Sequence, residues 1–273
     1  MKTKLFLCLL LAVGSSTGVF AQGRIVANSI REYINADVKI VPREDGKGVS
    51  IVSEEPMYVA GQKVNDKNSA VYIAFSLHPE WDNVLLVADW TGSMYSYVGQ
   101  IIRWHKLNID KELVRNIVLF NDGDDAISSK PKRIGGTGGI YYANPNDIEG
   151  LLEQIEIAVD NGDGGDAEEN DIEAILAGLN KFQEAQDIVL VADSSPVRDI
   201  KLMYNIEQPV NIIICDTGNI QDYIRLAYYT GGTITSAYDD IDFSDRQSIN
   251  PANIVFEGNI YDVSMETATL NKQ

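Results

Sequence analysis

From residue 83 onward, the apolar residues of this chain fall into two alternating patterns. Short runs made almost wholly of apolar residues are typical of buried strands in a parallel sheet, and they occupy residues 84–88, 116–120, 188–192 and 210–214, with a last short strand expected at 233–236. Between most of them, apolar residues recur at helical spacing. This predicts helices over residues 95–107, from a cap at 144–147 to about 159, over 167–182 and over 220–229. We therefore expect an α/β domain with a doubly wound, mostly parallel sheet and helices on both faces.

This main domain is expected to cover residues 81–238, with a different pattern on either side. Residues 23–80 contain strand candidates at 38–41, 49–52 and 70–75, which predicts a small β-rich lead-in, either a separate sheet or edge strands of the main one. Residues 239–273 form a C-terminal extension with one strand candidate at 253–263. Inside the domain, glycine-rich residues 121–142 predict a hairpin. The acidic cluster at 121–125 is then a hairpin turn or, alternatively, a calcium loop.

The first 22 residues have the pattern of a signal peptide. Lys2 and Lys4 form a basic start, residues 5–13 are apolar, and Val19-Phe20-Ala21 offers the small residues that a signal peptidase prefers. We expect cleavage near Ala21 and export to the periplasm or the medium. No other stretch is long and apolar enough to span a bilayer, so no membrane span is expected.

Charge narrows the choice of partners. The formal net charge is −18 over 273 residues, and loss of a leader that contains two lysines makes it more negative. Nucleic acids and anionic membranes need a basic face, so neither is expected to bind. A surplus of carboxylates suits divalent cations. Cys215 would be the one cysteine left after cleavage, so it cannot form an internal disulfide, and its apolar surroundings predict a buried packing role.

Candidate chemistry lies where predicted strands end. Asp89, Thr91 and Ser93 follow one apolar run, Asp193 follows another, and Asp166 lies in a loop before a predicted helix. In a doubly wound sheet, ligands bind at the carboxyl ends of the strands, so these side chains should face the same edge. An all-oxygen set suits Mg²⁺, and Mn²⁺ nearly as well. Zinc is disfavoured, because His78 and His105 stand alone.

Four motifs make the chain resemble a von Willebrand factor type A domain with a metal-ion-dependent adhesion site. They are VLLVADWTGSM, GDGGDAEENDIEAILAGL, IVLVADSSP and LAYYTGGTI, within residues 83–236. The resemblance implies that Asp89, Thr91 and Ser93 form the first metal loop and that Asp193 is the acid of the last one. Family members usually offer a threonine from the middle loop. Here Asp166 occupies that place, and Thr137 is the competing candidate.

These features support three hypotheses about function. The leading one is a non-enzymatic, exported protein-binding module, for adhesion or assembly, whose Mg²⁺ is completed by an oxygen of a protein partner. The second is a Mg²⁺-dependent phosphoryl-transfer hydrolase with Asp89 as its nucleophile. The third is an envelope scaffold without a metal. Trp90 is either a core residue or an exposed contact for a partner, and the sequence leaves that choice open.

Overall fold

The protein is described by a computed structural model that covers residues 19–121, 123, 132–162, 167–216 and 218–264. Its centre is a seven-stranded sheet. In chain order the strands are β5 (Val84–Asp89), β6 (Val114–Phe120), β7 (Ile140–Ala143), β8 (Asp187–Ala192), β9 (Val210–Ile214), β10 (Thr233–Thr235) and β11 (Asp240–Asp242). Every residue of β5 is buried, as expected of a central strand covered on both faces.

The sheet has the strand order β11-β10-β9-β8-β5-β6-β7. Strands β5, β6, β8, β9 and β10 are parallel, whereas the edge strands β7 and β11 pair antiparallel with their neighbours. The chain builds outward from β5 to β6 and β7, and then returns to the other side of β5 with β8. This is a Rossmann-like α/β arrangement, and its topological switch point lies between β5 and β8.

Helices cover both faces of the sheet. They are α1 (Val19–Asn35), α2 (Ala70–Leu77), α3 (Tyr95–Leu107), α4 (Ile148–Asp160), α5 (Asp171–Lys181) and α6 (Gln221–Thr230). Buried residues of α1 to α4 pack with Leu86 and Ala88 of β5 on one face. Those of α5 and α6 pack with Leu85 and Val87 on the other. The period of two in β5 therefore divides its side chains between two cores. Within the described residues, no helix is both long and apolar enough to cross a bilayer.

The segment before the sheet is less β-rich than the sequence predicts. It does contain four short strands, β1 (Lys39–Pro42), β2 (Val49–Val52), β3 (Tyr58–Val59) and β4 (Gln62–Lys63). These form two separate hairpins and not edge strands of the main sheet. Helix α1 lies mostly in the predicted lead-in, and its first four residues lie in the segment predicted as a signal peptide. Its buried residues recur at helical spacing, a pattern that was present in the sequence: Val26, Ala27, Ile30, Tyr33 and Ile34.

The strand predicted at residues 70–75 is wrong, because this segment is the helix α2. The Ser69 hydroxyl accepts a hydrogen bond from the amide of Tyr72 at 3.4 Å and begins the helix. The helix ends before His78, which precedes a proline. All residues from Ala70 to Phe75 are buried, and an apolar run that is buried all round has no periodicity to separate helix from strand.

The C-terminal region also departs from its prediction. The single strand expected at 253–263 is a hairpin of β12 (Ile254–Phe256) and β13 (Asn259–Tyr261). Its turn residues Glu257 and Gly258 have φ of 49° and 75°, the left-handed conformation that short hairpin turns require. Strand β11 continues the main sheet beyond the expected boundary at residue 238. The hairpin predicted around residues 121–142 is confirmed in its return strand, since β7 pairs antiparallel with β6.

Candidate metal site at the switch point

The first loop of the site begins at the last residue of β5. Asp89 is completely buried, and its Oδ1 accepts hydrogen bonds from the amide and the hydroxyl of Thr91, each at 2.8 Å. This side chain to backbone pattern is that of an Asx turn, which folds the chain back over the strand end. The turn brings the Thr91 hydroxyl onto the same side as the Asp89 carboxylate.

A continuous row of oxygens then crosses the switch point to the loop after β8. The Thr91 Oγ1 lies 3.3 Å from Ser93 Oγ, and Ser93 Oγ donates to Asp193 Oδ2 at 2.5 Å. The other carboxylate oxygen, Asp193 Oδ1, accepts from the amide of Ser195 at 2.8 Å. Four of the five predicted site residues thus lie in one hydrogen-bonded cluster, which joins the loops after two adjacent parallel strands.

The middle-loop residue is the part of the prediction that the structure does not decide. Asp166 lies outside the described residues. The Thr137 hydroxyl donates to the carbonyl of Arg133 at 3.0 Å, and its amide donates to Glu173 at 2.9 Å. Among the contacts of Thr137 within the described ranges, none joins it to the cluster of Asp89, Thr91, Ser93 and Asp193.

An acidic residue that sequence reasoning missed, Asp171, is buried beside this cluster. Helix α5 begins at Asp171, four residues later than predicted, so that the preceding residues form a loop. The side chain is fully buried, and its Oδ2 has no hydrogen-bond partner within the described part of the chain. Burial raises the pKa of Asp171 well above its ordinary value, and the charges of Asp199, Asp89 and Asp193 raise it further.

The loop that leads into Asp171 is held against the segment that follows Asp193 by backbone hydrogen bonds. The amide of Glu169 donates to the carbonyl of Pro196 at 2.9 Å, and its carbonyl accepts from the amide of Arg198 at 2.8 Å. The Glu169 side chain is itself buried. The only sequence signal for these residues was the density of acids after Asp166, which also fits an exposed helix start.

Asp199 fixes the start of α5 from outside the helix. Its two carboxylate oxygens accept from the amides of Ile172 at 3.2 Å and Glu173 at 2.6 Å, two of the first-turn amides that lack a partner inside a helix. Burial raises the pKa of Asp199 to about 6, although these amide bonds oppose the rise. When it is ionised, Asp199 adds to the negative charge near Asp171.

Neighbouring groups respond to that charge. Burial and the nearby Cys215, Asp216 and Asp193 raise the pKa of Tyr97 to about 12. The pKa of Tyr223 is also raised, first by burial and then by acids that include Asp171 and Asp89. Cys215, expected to be fully buried, is partly exposed and packs against the core. A cluster of side chains that opposes further negative charge is the electrostatic setting that a bound cation relieves.

Trp90, whose role the sequence left open, is a core residue. It has no exposed surface, its amide donates to the carbonyl of Phe120 at 2.7 Å, and its ring lies 6.2 Å from that of Tyr95. Ser93, by contrast, is exposed at the top of the cluster. The site is therefore closed below by Asp89 and Trp90 and open to solvent at Ser93.

The oxygen donors of the cluster fit a hard divalent cation. Asp89 and Asp193 supply carboxylates, and Thr91 and Ser93 supply hydroxyls whose lone pairs can face a metal. Mg²⁺ binds through few carboxylates and tolerates neutral oxygens, and Mn²⁺ accepts similar ligands. Within the ranges that the structure describes, no three side chains of His, Cys, Asp or Glu come together as a metal site, so the hydroxyls are an essential part of this set.

Comparison with known proteins does not identify a family for this chain, so its function has to be inferred from the geometry of the candidate site. Neither the protein-family models nor the curated proteins include a match to this chain.

Proposed function

We propose that this chain is an exported, von Willebrand factor A-like module that uses a bound Mg²⁺ or Mn²⁺ to bind a protein partner. The sheet order and the position of the switch point support the fold part of the proposal. The signal-like residues 1–22 support export, and the acidic composition supports a cation in preference to an anionic ligand.

One observation carries the metal part of the proposal. The row of oxygens from Asp89 through Thr91 and Ser93 to Asp193 brings two loops, 100 positions apart, into hydrogen-bond distance at the switch point. Two carboxylates at adjacent strand ends repel each other unless a proton, a donor or a cation lies between them. Without a cation, the hydroxyls of Thr91 and Ser93 donate hydrogen bonds to these carboxylates. With a cation bound, the oxygen atoms of the same hydroxyls would serve as its ligands.

The proposed role of the metal is to offer a coordination position to an oxygen of the partner. Thr91 and Ser93 would bind the metal from the first loop, and Asp193 would bind it from the second. The buried carboxylate of Asp89 would supply negative charge beneath the metal. Since Ser93 is exposed, the open side of the cluster is the side from which a partner would approach. Asp166 remains the proposed middle-loop ligand on the resemblance alone.

The burial of Asp89 favours a binding role over phosphoryl transfer. A nucleophilic carboxylate needs an open path to the phosphorus atom, whereas Asp89 has no exposed surface and its Oδ1 is held by Thr91. The scaffold hypothesis differs from both in predicting that divalent metal has no effect, so metal binding is the measurement that separates the candidates.

Titration calorimetry with MgCl₂ and MnCl₂ tests the metal site. We expect the purified chain to bind both metals. Ser93→Ala and Asp193→Asn should bind them at least roughly tenfold more weakly, because each variant loses one ligand. Ser244→Ala should bind them as tightly as the parent does. Ser244 is an exposed serine outside the cluster and serves as the control. Absence of binding by the parent chain would support the scaffold hypothesis.

A second measurement tests the open coordination position. Water-proton relaxation by bound Mn²⁺ depends on the number of water molecules on the metal. We expect glutarate, a dicarboxylate that mimics a partner side chain, to lower the relaxation enhancement of the Mn²⁺ complex. An unchanged enhancement at saturating glutarate would contradict partner binding through the metal while leaving the metal site itself intact.

A further inference from the structure

The hairpin of β3 and β4 packs against the first loop of the candidate metal site. Its turn residues Ala60 and Gly61 have φ of 49° and 80°, as in the tight turns that join two adjacent strands. Val59 is completely buried. The hairpin belongs to the segment before the sheet, for which the sequence offered no role.

Gln62, in β4 of this hairpin, bridges two backbone groups on either side of Ser93. Its Nε2 donates to the carbonyl of Gly92 at 2.7 Å, and its Oε1 accepts from the amide of Ser96 at 3.1 Å. A backbone carbonyl can only accept a hydrogen bond and a backbone N–H can only donate one. The Gln62 side chain therefore satisfies both groups only with its Nε2 toward Gly92 and its Oε1 toward Ser96. The Ser96 amide lies in the first turn of α3, where amides lack a partner within the helix.

The hairpin is itself held in place from two sides. The amide of Ala60 donates to the Ser29 hydroxyl of α1 at 2.8 Å. On the other side, Val59 lies so close to α3 that a Cβ on Gly99 would stand 2.9 Å from its Cγ2. Gln62 therefore presents its amide from a fixed support and not from a mobile loop.

We propose that Gln62 is a positioning residue for the metal loop, and this inference rests on the proposed metal-binding function. Gly92 is the residue of the loop with the greatest backbone freedom, and it lies between the two hydroxyl ligands Thr91 and Ser93. By holding the Gly92 carbonyl and the Ser96 amide, Gln62 selects the loop conformation in which the Thr91 hydroxyl donates to Asp89 and the Ser93 hydroxyl donates to Asp193. The segment before the sheet thus contributes to metal affinity without supplying a ligand.

Hydrogen exchange in EDTA tests the positioning step without a metal. Gln62→Met keeps the length of the side chain and removes both hydrogen bonds, and Lys63→Met makes the same replacement at the exposed neighbouring position of β4. We expect the amide of Ser96 to exchange at least roughly fivefold faster in Gln62→Met, as the loss of one hydrogen bond implies, and to be unchanged in Lys63→Met. Equal exchange in both variants would overturn the inference.

Metal affinity tests the consequence. We expect Gln62→Met to bind Mn²⁺ roughly tenfold more weakly than Lys63→Met, as expected when a residue that supports a metal ligand is lost. Gln62→Glu, which keeps an acceptor for Ser96 but no donor for Gly92, should fall between them. Faster exchange with Mn²⁺ affinity within twofold of the control would overturn the inference. If the parent chain binds no metal, the proposed function fails, and exchange at Ser96 alone decides whether Gln62 positions the loop.

Discussion

The Ser93 hydroxyl donates a hydrogen bond to Asp193 Oδ2 across 100 positions of sequence. It joins the loop after β5 to the loop after β8, the two strands that flank the switch point. This hydroxyl links the two carboxylate-bearing loops, and under the proposed function its oxygen becomes a ligand when a cation is bound.

This link predicts that the cost of Ser93→Ala depends on metal. In EDTA we expect a loss of about 1 kcal/mol in the free energy of unfolding, the usual contribution of one hydrogen bond. In saturating Mg²⁺ the loss should be greater, because ligand binding adds RT ln(1 + [L]/Kd) to the stability of the parent. Urea denaturation in the two buffers measures both values. An equal loss in EDTA and in Mg²⁺ would contradict a ligand role for Ser93.

Asp199 predicts a fall in stability as the pH rises through the acid range. Its pKa is raised from 3.8 to about 6, so the folded state binds the proton more tightly than the unfolded state, and stability declines between these two values. The decline for this one buried group is about 3 kcal/mol at most. Asp199→Asn keeps one acceptor oxygen for the two α5 amides, removes the titrating group and should flatten the decline in EDTA. Denaturation between about pH 3.5 and pH 7 measures it.

His78 predicts a pH dependence at higher pH. Its Nδ1 lies 3.0 Å from Glu80 and its Nε2 3.0 Å from Asp240, while its ring stacks on that of Trp81. Burial opposes protonation, but the two acids outweigh it and the pKa of His78 is raised. The stabilisation is therefore fully present below the unfolded value of 6.5 and is lost as the pH rises through the folded pKa.

Replacing His78 by glutamine should remove that dependence. We expect the melting temperature of the parent, relative to His78→Gln, to decrease between about pH 6 and pH 8. His105 is the internal control, because burial lowers its pKa, and a lowered histidine pKa makes stability rise with pH. A His105→Gln chain that lost the same decrease would show that His78 is not its source.

The buried pair of Arg103 and Asp66 predicts a large stability effect. Arg103 Nη1 lies 3.4 Å from Asp66 Oδ2, and the guanidinium lies 3.5 Å from the ring centroid of Tyr33. Arg103→Met leaves a buried carboxylate without its cation, so we expect a loss of about 3–5 kcal/mol in unfolding free energy. Adding Asp66→Asn should restore part of it. The exposed pair of Arg115 and Glu112 is the control, and Arg115→Met should cost less than about 1 kcal/mol.

Local sequence pattern was sufficient for the five parallel strands of the sheet and for placing Asp89, Thr91, Ser93 and Asp193 at one of its edges, but it missed the antiparallel edge strand β11. Fully apolar runs locate parallel strands, and the polar residue after each run lies at the carboxyl edge by topology alone. Asp89 and Asp193 could be placed at one edge for this reason. The pattern failed at α2, where an apolar segment buried on every side has no period.

The sequence by itself determined which residues end the strands of this protein and therefore which side chains could form a site at the switch point. Tertiary structure decided which distant groups lie against those side chains. Asp171 lies beside the candidate metal loop because α5 begins later than its pattern indicates, and Gln62 reaches Gly92 because α1 and α3 hold its hairpin. Contacts of this kind depend on how whole elements pack against one another, and no local period of polar and apolar residues records that packing.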